Sequence, residues 1–121
     1  MCLDNFTTTD LPQIKEAYKV FNLHNNKLFP CFYKFKFKKR KWLRDDNDFV
    51  RYHGAFDTSL VLYPAGFHCF TSKDNALAYT TKGIQVCHRV LVREIVAAGN
   101  QCKWPSIVAK EIFIMEEVTC A

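Results

Sequence analysis

The chain has 121 residues, of which 49% are apolar and 15% aromatic, and its formal net charge is +5. This length fits a single domain over residues 1–121, and the aromatic content excludes a disordered tail. No run of about 18 apolar residues is present, which excludes a membrane-spanning helix. The N-terminal residues lack the basic and apolar segments of a secretory signal, so we expect a cytoplasmic protein.

The cysteines indicate the redox state of the protein. They occupy positions 2, 31, 69, 87, 102 and 120, and no two have the C-x-x-C spacing of a zinc or redox site. Four lie in or beside apolar runs, where free cysteine behaves as a small buried hydrophobe: Cys31, Cys69, Cys87 and Cys102. Because nothing directs the chain to an oxidising compartment, we interpret the cysteines as reduced thiols.

The first half of the chain predicts a short helix and a hairpin. Asp10 has the form of an N-cap and Pro12 suits a first helical turn, which predicts a short N-terminal helix. Residues 18–23 are typical of a strand, and residues 25–27 have turn chemistry. Residues 28–37 alternate aromatics with lysines in their second half, which predicts a returning strand.

The second half predicts one helix and four strands. The helix is capped by Thr71 or Ser72 and ends at Lys82 and Gly83. The last two strands are long, rich in β-branched residues and separated by a loop at residues 97–105, so we expect them to pair in antiparallel fashion. The four strands cover residues 60–63, 67–70, 84–96 and 107–118. The predicted fold is α+β: a curved, mainly antiparallel β-sheet with one short central helix and a short N-terminal helix.

The positive charge is concentrated in residues 28–44, which contain seven basic residues and no acidic one. The remainder of the chain therefore carries a net charge of −2. Lysine and arginine contacts to phosphates supply most of the sequence-independent affinity for nucleic acids, and interleaved aromatics can stack on bases. The candidate binding residues are Lys34, Lys36, Lys38, Lys39, Arg40, Lys41, Trp42 and Arg44.

Three interpretations of this basic stretch stay open. A half-buried edge strand also carries aromatics on one face and lysines on the other, and edge lysines oppose aggregation. Alternatively, the stretch binds an anionic partner, which is a nucleic acid, a nucleotide or an acidic protein surface. Trp42, between Lys41 and Arg44, favours this second interpretation. Finally, the aromatic strand is an interface between copies of the chain, which makes a homo-oligomer.

No complete catalytic or cofactor motif is present in the sequence. There is no Gly-rich phosphate loop and no nucleophile elbow. The histidines are far apart in sequence, at His24, His53, His68 and His88. Neighbouring residues of a strand point to opposite faces, so the two adjacent His and Cys pairs do not form a metal site by themselves. We expect neither a metal nor a cofactor.

Cys2 is the candidate nucleophile, because it directly follows the initiator methionine. Removal of Met1 leaves an N-terminal cysteine with a thiol and an α-amino group, whose reference pKa of about 7.7–8.0 suits an intramolecular base. His68, which follows Gly66 on a predicted strand, is its most plausible partner. The alternative is a small second residue without a catalytic role.

Several short motifs occur in a characteristic order. The chain opens with Met-Cys-Leu, and Gly66–Phe70 reads GFHCF and precedes the predicted helix. The other matching features are Tyr18, Lys19, Val20, Pro30, Asp74, Ala76, Tyr79, Gly99, Glu116, Glu117 and Val118. In this order the chain resembles a group of small bacteriophage and gut-bacterial proteins that begin Met-Cys and carry a GFHxF-then-helix motif. The lysine-rich segment is not part of the resemblance, and neither is the loop at residues 97–105 apart from Gly99.

The resemblance implies a setting rather than a reaction. It implies a phage accessory protein in the bacterial cytoplasm that binds and blocks a host component, including defence systems. We therefore expect a binding or inhibitory module whose partner is a host protein, a nucleic acid or a nucleotide signal. The alternative is a thiol-dependent hydrolase or transferase that uses Cys2 with His68.

Overall fold

The computed structural model describes residues 3, 5–24, 27–29, 41–46, 49–53 and 60–119. Within them are nine strands and one helix. Seven strands form one antiparallel sheet, and the other two, β5 and β6, pair with each other. In chain order the elements are β1 (Asn5–Thr7), β2 (Glu16–His24), β3 (Lys27–Phe29), β4 (Trp42–Arg44), β5 (Phe49–His53), β6 (Leu60–Pro64), β7 (Phe67–Phe70), α1 (Lys73–Tyr79), β8 (Gln85–Gln101) and β9 (Trp104–Val118).

A long hairpin of β8 and β9 organises the sheet. The two strands have 17 and 15 residues and pair along most of their length. Their register shifts twice, between His88 and Val90 and between Ile95 and Ala97. Such irregularities bend a strand and increase its twist, so the hairpin can curve around a core. Because of this curvature, different halves of the hairpin can pair with different strands.

The hairpin turn corrects the predicted loop at residues 97–105. The strands continue through this segment, and only Cys102 and Lys103 connect them, with Gln101 paired to Trp104. Both turn residues have positive φ, 50° and 74°. Two positive φ values are what a tight type I′ hairpin turn requires. The sequence signal was hidden, because Cys-Lys lacks the Asn or Gly that usually marks such a turn.

Four strands close into a ring through their pairings. β8 pairs with β2 and β9, β9 pairs with β7, and β7 reaches β2 through the single registered pair of Tyr18 and Phe70. All four strands contribute to the main core cluster, with Phe21, Cys69, Val90 and Ile107 as fully buried or nearly fully buried members. The expected curved antiparallel sheet is therefore confirmed.

Helix α1 covers a second apolar cluster on the other face of β2 and β8. Ser72 is its N-cap, and the Ser72 hydroxyl accepts a hydrogen bond from the Asn75 backbone N–H at 3.4 Å. Ala76 is fully buried against the cluster, which includes Val20, Phe70 and Cys87. The aromatic rings of Phe70, Tyr79 and Trp104 contact one another beside it. The predicted central helix is confirmed.

The predicted N-terminal helix is not present. Asp10 has a φ of 51°, whereas an N-cap residue lies in the extended region, and the chain stays irregular from Leu11 to Ile14. Instead, β1 pairs with β8, where Phe6 is opposite Gly99. A Cβ on Gly99 would come within 1.8 Å of the Asn5 carbonyl oxygen, so this close approach requires glycine.

The remaining strands of the structure include predicted and unpredicted ones. The hairpin of β2 and β3 is confirmed by the pairing of Asn22 with Phe29, while residues 30–40 lie outside the described residues. β6 and β7 match their predictions, and β5 was not anticipated. No helix in the described part of the chain is long and apolar enough to cross a membrane.

Candidate functional site

Strand β4 positions the C-terminal end of the basic stretch on the sheet. It pairs with β9 in antiparallel register, with Trp42 opposite Phe113 and Arg44 opposite Glu111. The Asp45 backbone N–H extends this pairing by donating to the Lys110 carbonyl at 2.9 Å. Leu43 packs against the core, so Trp42 and Arg44 lie on the outer face of the sheet. Lys41, just before the strand, is exposed.

Arg44 lies among three carboxylates. Its Nη1 is 2.7 Å from Glu94 Oε2 and 3.3 Å from Glu111 Oε1, and its Nε is 3.1 Å from Asp46 Oδ1. The hydrogen bond to Glu94 is the main cause that raises the pKa of the Arg44 guanidinium. Arg44, the last cation of the basic stretch, is therefore already paired with carboxylates of the protein itself.

Trp42 is covered in a comparable way. The guanidinium carbon of Arg93 lies 3.5 Å from the centroid of the Trp42 ring, within cation–π distance. Phe113 contacts the same indole edge-on, with ring centroids 5.7 Å apart. Arg93 Nη2 also lies 2.9 Å from Glu111 Oε2, which makes Glu111 the link between Arg44 and Arg93.

Arg93 and Glu94 together form what we call the Arg93–Glu94 clamp. Consecutive side chains of a regular strand point to opposite faces, yet both of these residues reach β4 on the outer face. Glu94 has a φ of 58°, in the left-handed region that non-glycine residues rarely adopt. This backbone conformation lets two adjacent side chains contact Trp42 and Arg44 at once.

The structure therefore assigns contacts to part of the predicted binding set. Lys41, Trp42 and Arg44 are described, whereas Lys34, Lys36, Lys38, Lys39 and Arg40 lie outside the described residues. The clamp was missed by sequence reasoning, which treated residues 84–96 as one regular strand. The available signal was the pair of adjacent charges, Arg93 and Glu94, between the apolar residues Val92 and Ile95.

His68 lies on β7 opposite Val108 of β9. Burial and the nearby Lys19 ammonium lower the pKa of His68 to about 3. Lys19 Nζ donates a hydrogen bond to the His68 backbone carbonyl at 2.9 Å. The imidazole is therefore neutral near pH 7 and is a weak base, because its conjugate acid forms only in strong acid.

The expected partner of His68, Cys2, lies outside the described residues. Its neighbour Leu3 is fully buried in a cluster with Ala97 and Val108. Since Val108 is the registered partner of His68, Leu3 is packed in the same region of the sheet as that histidine.

The described cysteines differ in environment. Cys69 and Cys87 are buried free thiols, and burial raises the pKa of Cys69 to about 11 and that of Cys87 to about 12. Cys102 is also free but exposed at the β8–β9 turn, which corrects its predicted burial. Among the described residues, no three His, Cys, Asp or Glu side chains gather where they could hold a metal ion.

His88 is the buried histidine of the ring. Its Nδ1 lies 2.8 Å from the Met115 carbonyl oxygen, which can only accept, so Nδ1 carries a proton. The ring also packs edge-on against Phe21, with centroids 5.7 Å apart. These contacts give His88 a structural role in the core.

Comparison with known proteins does not add a relative: no protein-family model, no curated protein and no solved structure matches this chain.

Proposed function

We propose that the protein is a non-enzymatic binding module that engages an anionic partner through its basic aromatic stretch. In this proposal it is a phage-type accessory protein of the bacterial cytoplasm that blocks a host component, including one of a defence system. The partner is a nucleic acid, a nucleotide signal or an acidic surface of a host protein. Lys34–Lys41 supply the charge, and β4 anchors the end of the stretch to the sheet.

The segregation of charge is the observation that carries the proposal. Three arginines of the described residues engage five carboxylates: Arg44, Arg89 and Arg93 pair with Glu16, Asp46, Glu94, Glu111 and Glu116. Those five are a large part of the 12 acidic residues of the chain. The other seven acidic residues also lie outside residues 28–44, which contain seven basic residues and no acidic one, so this stretch can attract an anion.

A charge-reversal experiment tests the proposal. Lys36, Lys38 and Arg40 are changed together to Glu, and binding to a fluorescein-labelled single-stranded oligothymidylate is measured between about 50 and 200 mM salt. The matched control changes Lys73, Lys82 and Lys103 to Glu, which alters the net charge equally at exposed positions of the described structure.

The two triple variants separate a local site from general charge attraction. We expect the first to lose at least about tenfold in affinity and to flatten the salt dependence, because each lost phosphate contact removes about 0.7 from the slope. The control changes affinity much less. Equal losses in both variants, with unchanged folding, contradict a site in the basic stretch.

The thiol-dependent enzyme is a second candidate because Leu3, the neighbour of Cys2, shares a buried cluster with Val108, the cross-strand neighbour of His68. This hypothesis requires an unblocked N-terminal cysteine. Intact-mass measurement of the native protein tests it, followed by comparison of iodoacetamide labelling at Cys2 in the wild type and in the variant H68Q. Retention of Met1 eliminates the amine-assisted version.

A further inference from the structure

The Arg93–Glu94 clamp occupies the two residues of β4 that are chemically suited to a ligand. We propose that the clamp is an intramolecular competitor, which holds Arg44 and Trp42 in the free protein and is displaced by a single-stranded nucleic acid. This inference depends on the proposed function and identifies its partner class. The displaced contacts are the salt bridge of Glu94 to Arg44 and the stacking of Arg93 on Trp42.

The Glu94 carboxylate acts in place of a phosphate at Arg44. A guanidinium binds carboxylates and phosphates through the same N–H donors, and a phosphate oxygen can take the position of Glu94 Oε2, 2.7 Å from Arg44 Nη1. Glu111 and Asp46 orient the guanidinium from other directions. Arg44 is thus pre-positioned for an anion, with one exchangeable partner on a flexible side chain.

The guanidinium plane of Arg93 acts in place of a nucleic-acid base at Trp42. Arginine stacks on aromatic faces, and bases stack on the same faces in single-stranded nucleic acid complexes. The distance of 3.5 Å from the Arg93 guanidinium carbon to the indole centroid is that of a stacked pair. Phe113 contacts the indole edge-on, so a base that replaces Arg93 would stack on Trp42 beside a second aromatic ring.

The contacts of the Arg93–Glu94 clamp are half-exposed, so replacing them costs little free energy. The side chains of Arg44 and Glu94 are 47% and 51% exposed, and that of Arg93 is 52% exposed. Salt bridges between such half-exposed groups contribute little to stability, because water and salt screen them. The left-handed conformation of Glu94 is itself unfavourable for a side-chain-bearing residue. A ligand therefore replaces weak contacts rather than buried ones.

The spacing of aromatic and cation selects the partner class. Trp42 and Arg44 are two residues apart on one strand, so they lie on the same face and about 6.6 Å apart along it. A base stack beside a phosphate contact is the combination that a single strand presents, since its bases are unpaired. An acidic protein surface offers carboxylates to Arg44 but gives no reason for Arg93 to leave Trp42.

The test compares two glutamates that carry equal charge. Glu94→Gln removes the charge of the carboxylate nearest to Arg44, whereas the control Glu117→Gln removes the same charge from an exposed residue of β9 that has no salt bridge within the described part of the chain. Binding is measured with labelled oligothymidylate of about 15 nucleotides and, in parallel, with a polyglutamate peptide. Glu94→Gly is a second variant, because glycine suits the positive φ at this position.

We expect Glu94→Gln and Glu94→Gly to bind the oligonucleotide about three- to tenfold more tightly than Glu117→Gln. The salt slope should be steeper by about 0.7, because no displaced carboxylate takes up a cation when a phosphate binds Arg44. Trp42 and Trp104 are the two tryptophans of the chain, so in a Trp104→Phe background Trp42 reports stacking directly. Its fluorescence is quenched by the oligonucleotide and not by polyglutamate.

The outcomes distinguish this inference from the proposed function. If Glu94→Gln equals Glu117→Gln or binds more weakly, while reversal of Lys36, Lys38 and Arg40 still abolishes binding, the clamp is not a competitor but the binding function survives. If polyglutamate gains as much as the oligonucleotide and Trp42 is not quenched, the partner class is wrong. If neither the wild type nor either Glu94 variant binds the oligonucleotide, the clamp inference is overturned, and if polyglutamate also fails to bind, an anionic partner for the basic stretch is overturned as well.

Discussion

The closed ring and the β4 rim are built on opposite principles. The ring, formed by β2, β7, β8 and β9, encloses side chains that are almost all apolar and fully buried, such as Phe21 and Ile112. The rim comprises β4 and the side chains that contact its outer face: Arg93, Glu94, Glu111 and Phe113. It carries half-exposed arginines and glutamates around the indole of Trp42. Stability is therefore concentrated in the ring, where the side chains are fully buried, while the rim holds half-exposed contacts of the kind that a partner can replace.

Hairpin β8–β9 connects the two regions. On β8, Val90 and Val92 face the ring core, whereas Arg93 faces the rim. The irregular backbone at Glu94 interrupts this alternation and directs a second charge to the rim. One strand therefore provides both the core and the clamp, and the functional geometry is obtained at a point of local backbone irregularity.

Removal of a ring phenylalanine is expected to have the largest effect. Phe21→Ala deletes a side chain that is 0% exposed and leaves a cavity, so the free energy of unfolding should fall by about 3–5 kcal/mol. Phe113→Ala deletes the same side chain at the half-buried rim and should cost clearly less. Urea denaturation followed by circular dichroism measures both. Similar losses in the two variants contradict the division between ring and rim.

Acid is expected to weaken the ring through His68. The pKa of His68 is lowered to about 3 by burial and by Lys19, against about 6.5 in the unfolded chain. Between these values the unfolded state binds the proton more readily, so stability is complete above about pH 6.5 and is lost progressively as the pH falls toward 3. The variant H68Q, which does not titrate, should lose less stability over this window.

The comparison of the two pH curves isolates His68 from the other titrating groups, which are common to both proteins. The difference in free energy of unfolding between wild type and H68Q should be constant above about pH 6.5. It should change steadily as the pH falls from about 6.5 to about 4. Parallel curves across this range would show that His68 titrates near its ordinary pKa, and would contradict its burial beside Lys19.

The hairpin turn should be improvable by substitution. Cys102 and Lys103 have positive φ values of 50° and 74°, which side-chain-bearing residues other than Asn and Asp rarely adopt. The double variant C102N/K103G supplies the preferred Asn-Gly turn and should raise the free energy of unfolding by about 1 kcal/mol. Thermal denaturation measures the gain. A control with K103A, which keeps a Cβ at the strained position, should not reproduce it.

The sequence predicts the helices and strands better than the turns and irregular segments that connect them. The strand pattern of residues 18–23, the Ser72 cap and the two long β-branched strands are local signals, and the structure confirms them. The false N-terminal helix arose because Asp10 and Pro12 match a helix start, whereas pairing of β1 at Gly99 determines the path of this segment. The two-residue turn carries no local signal, because tertiary pairing imposes its positive φ values.

The candidate site divides in the same way. Arg44 and Trp42 are visible in the sequence as part of a basic aromatic stretch. Their partners Glu94 and Arg93 lie 50 and 51 residues further along the chain. Only the register of β4 on β9, and of β9 on β8, brings them together. Periodicity would also direct Glu94 to the opposite face, so its contact with Arg44 follows from a backbone exception.

A substitution among the charged residues of the rim is expected to have the smallest effect on stability, although many charges lie close together there. Glu111 bridges Arg44 and Arg93, yet both arginines keep other partners: Glu94 for Arg44 and the Trp42 ring for Arg93. Glu111→Gln should therefore lower the free energy of unfolding by less than about 1 kcal/mol, as for other exposed salt bridges, and by less still at high salt. Urea denaturation at low and high salt measures it. A loss comparable with that of Phe21→Ala would mean that the rim is a structural support, and the exchange of its contacts for those of a partner would then be too costly to serve binding.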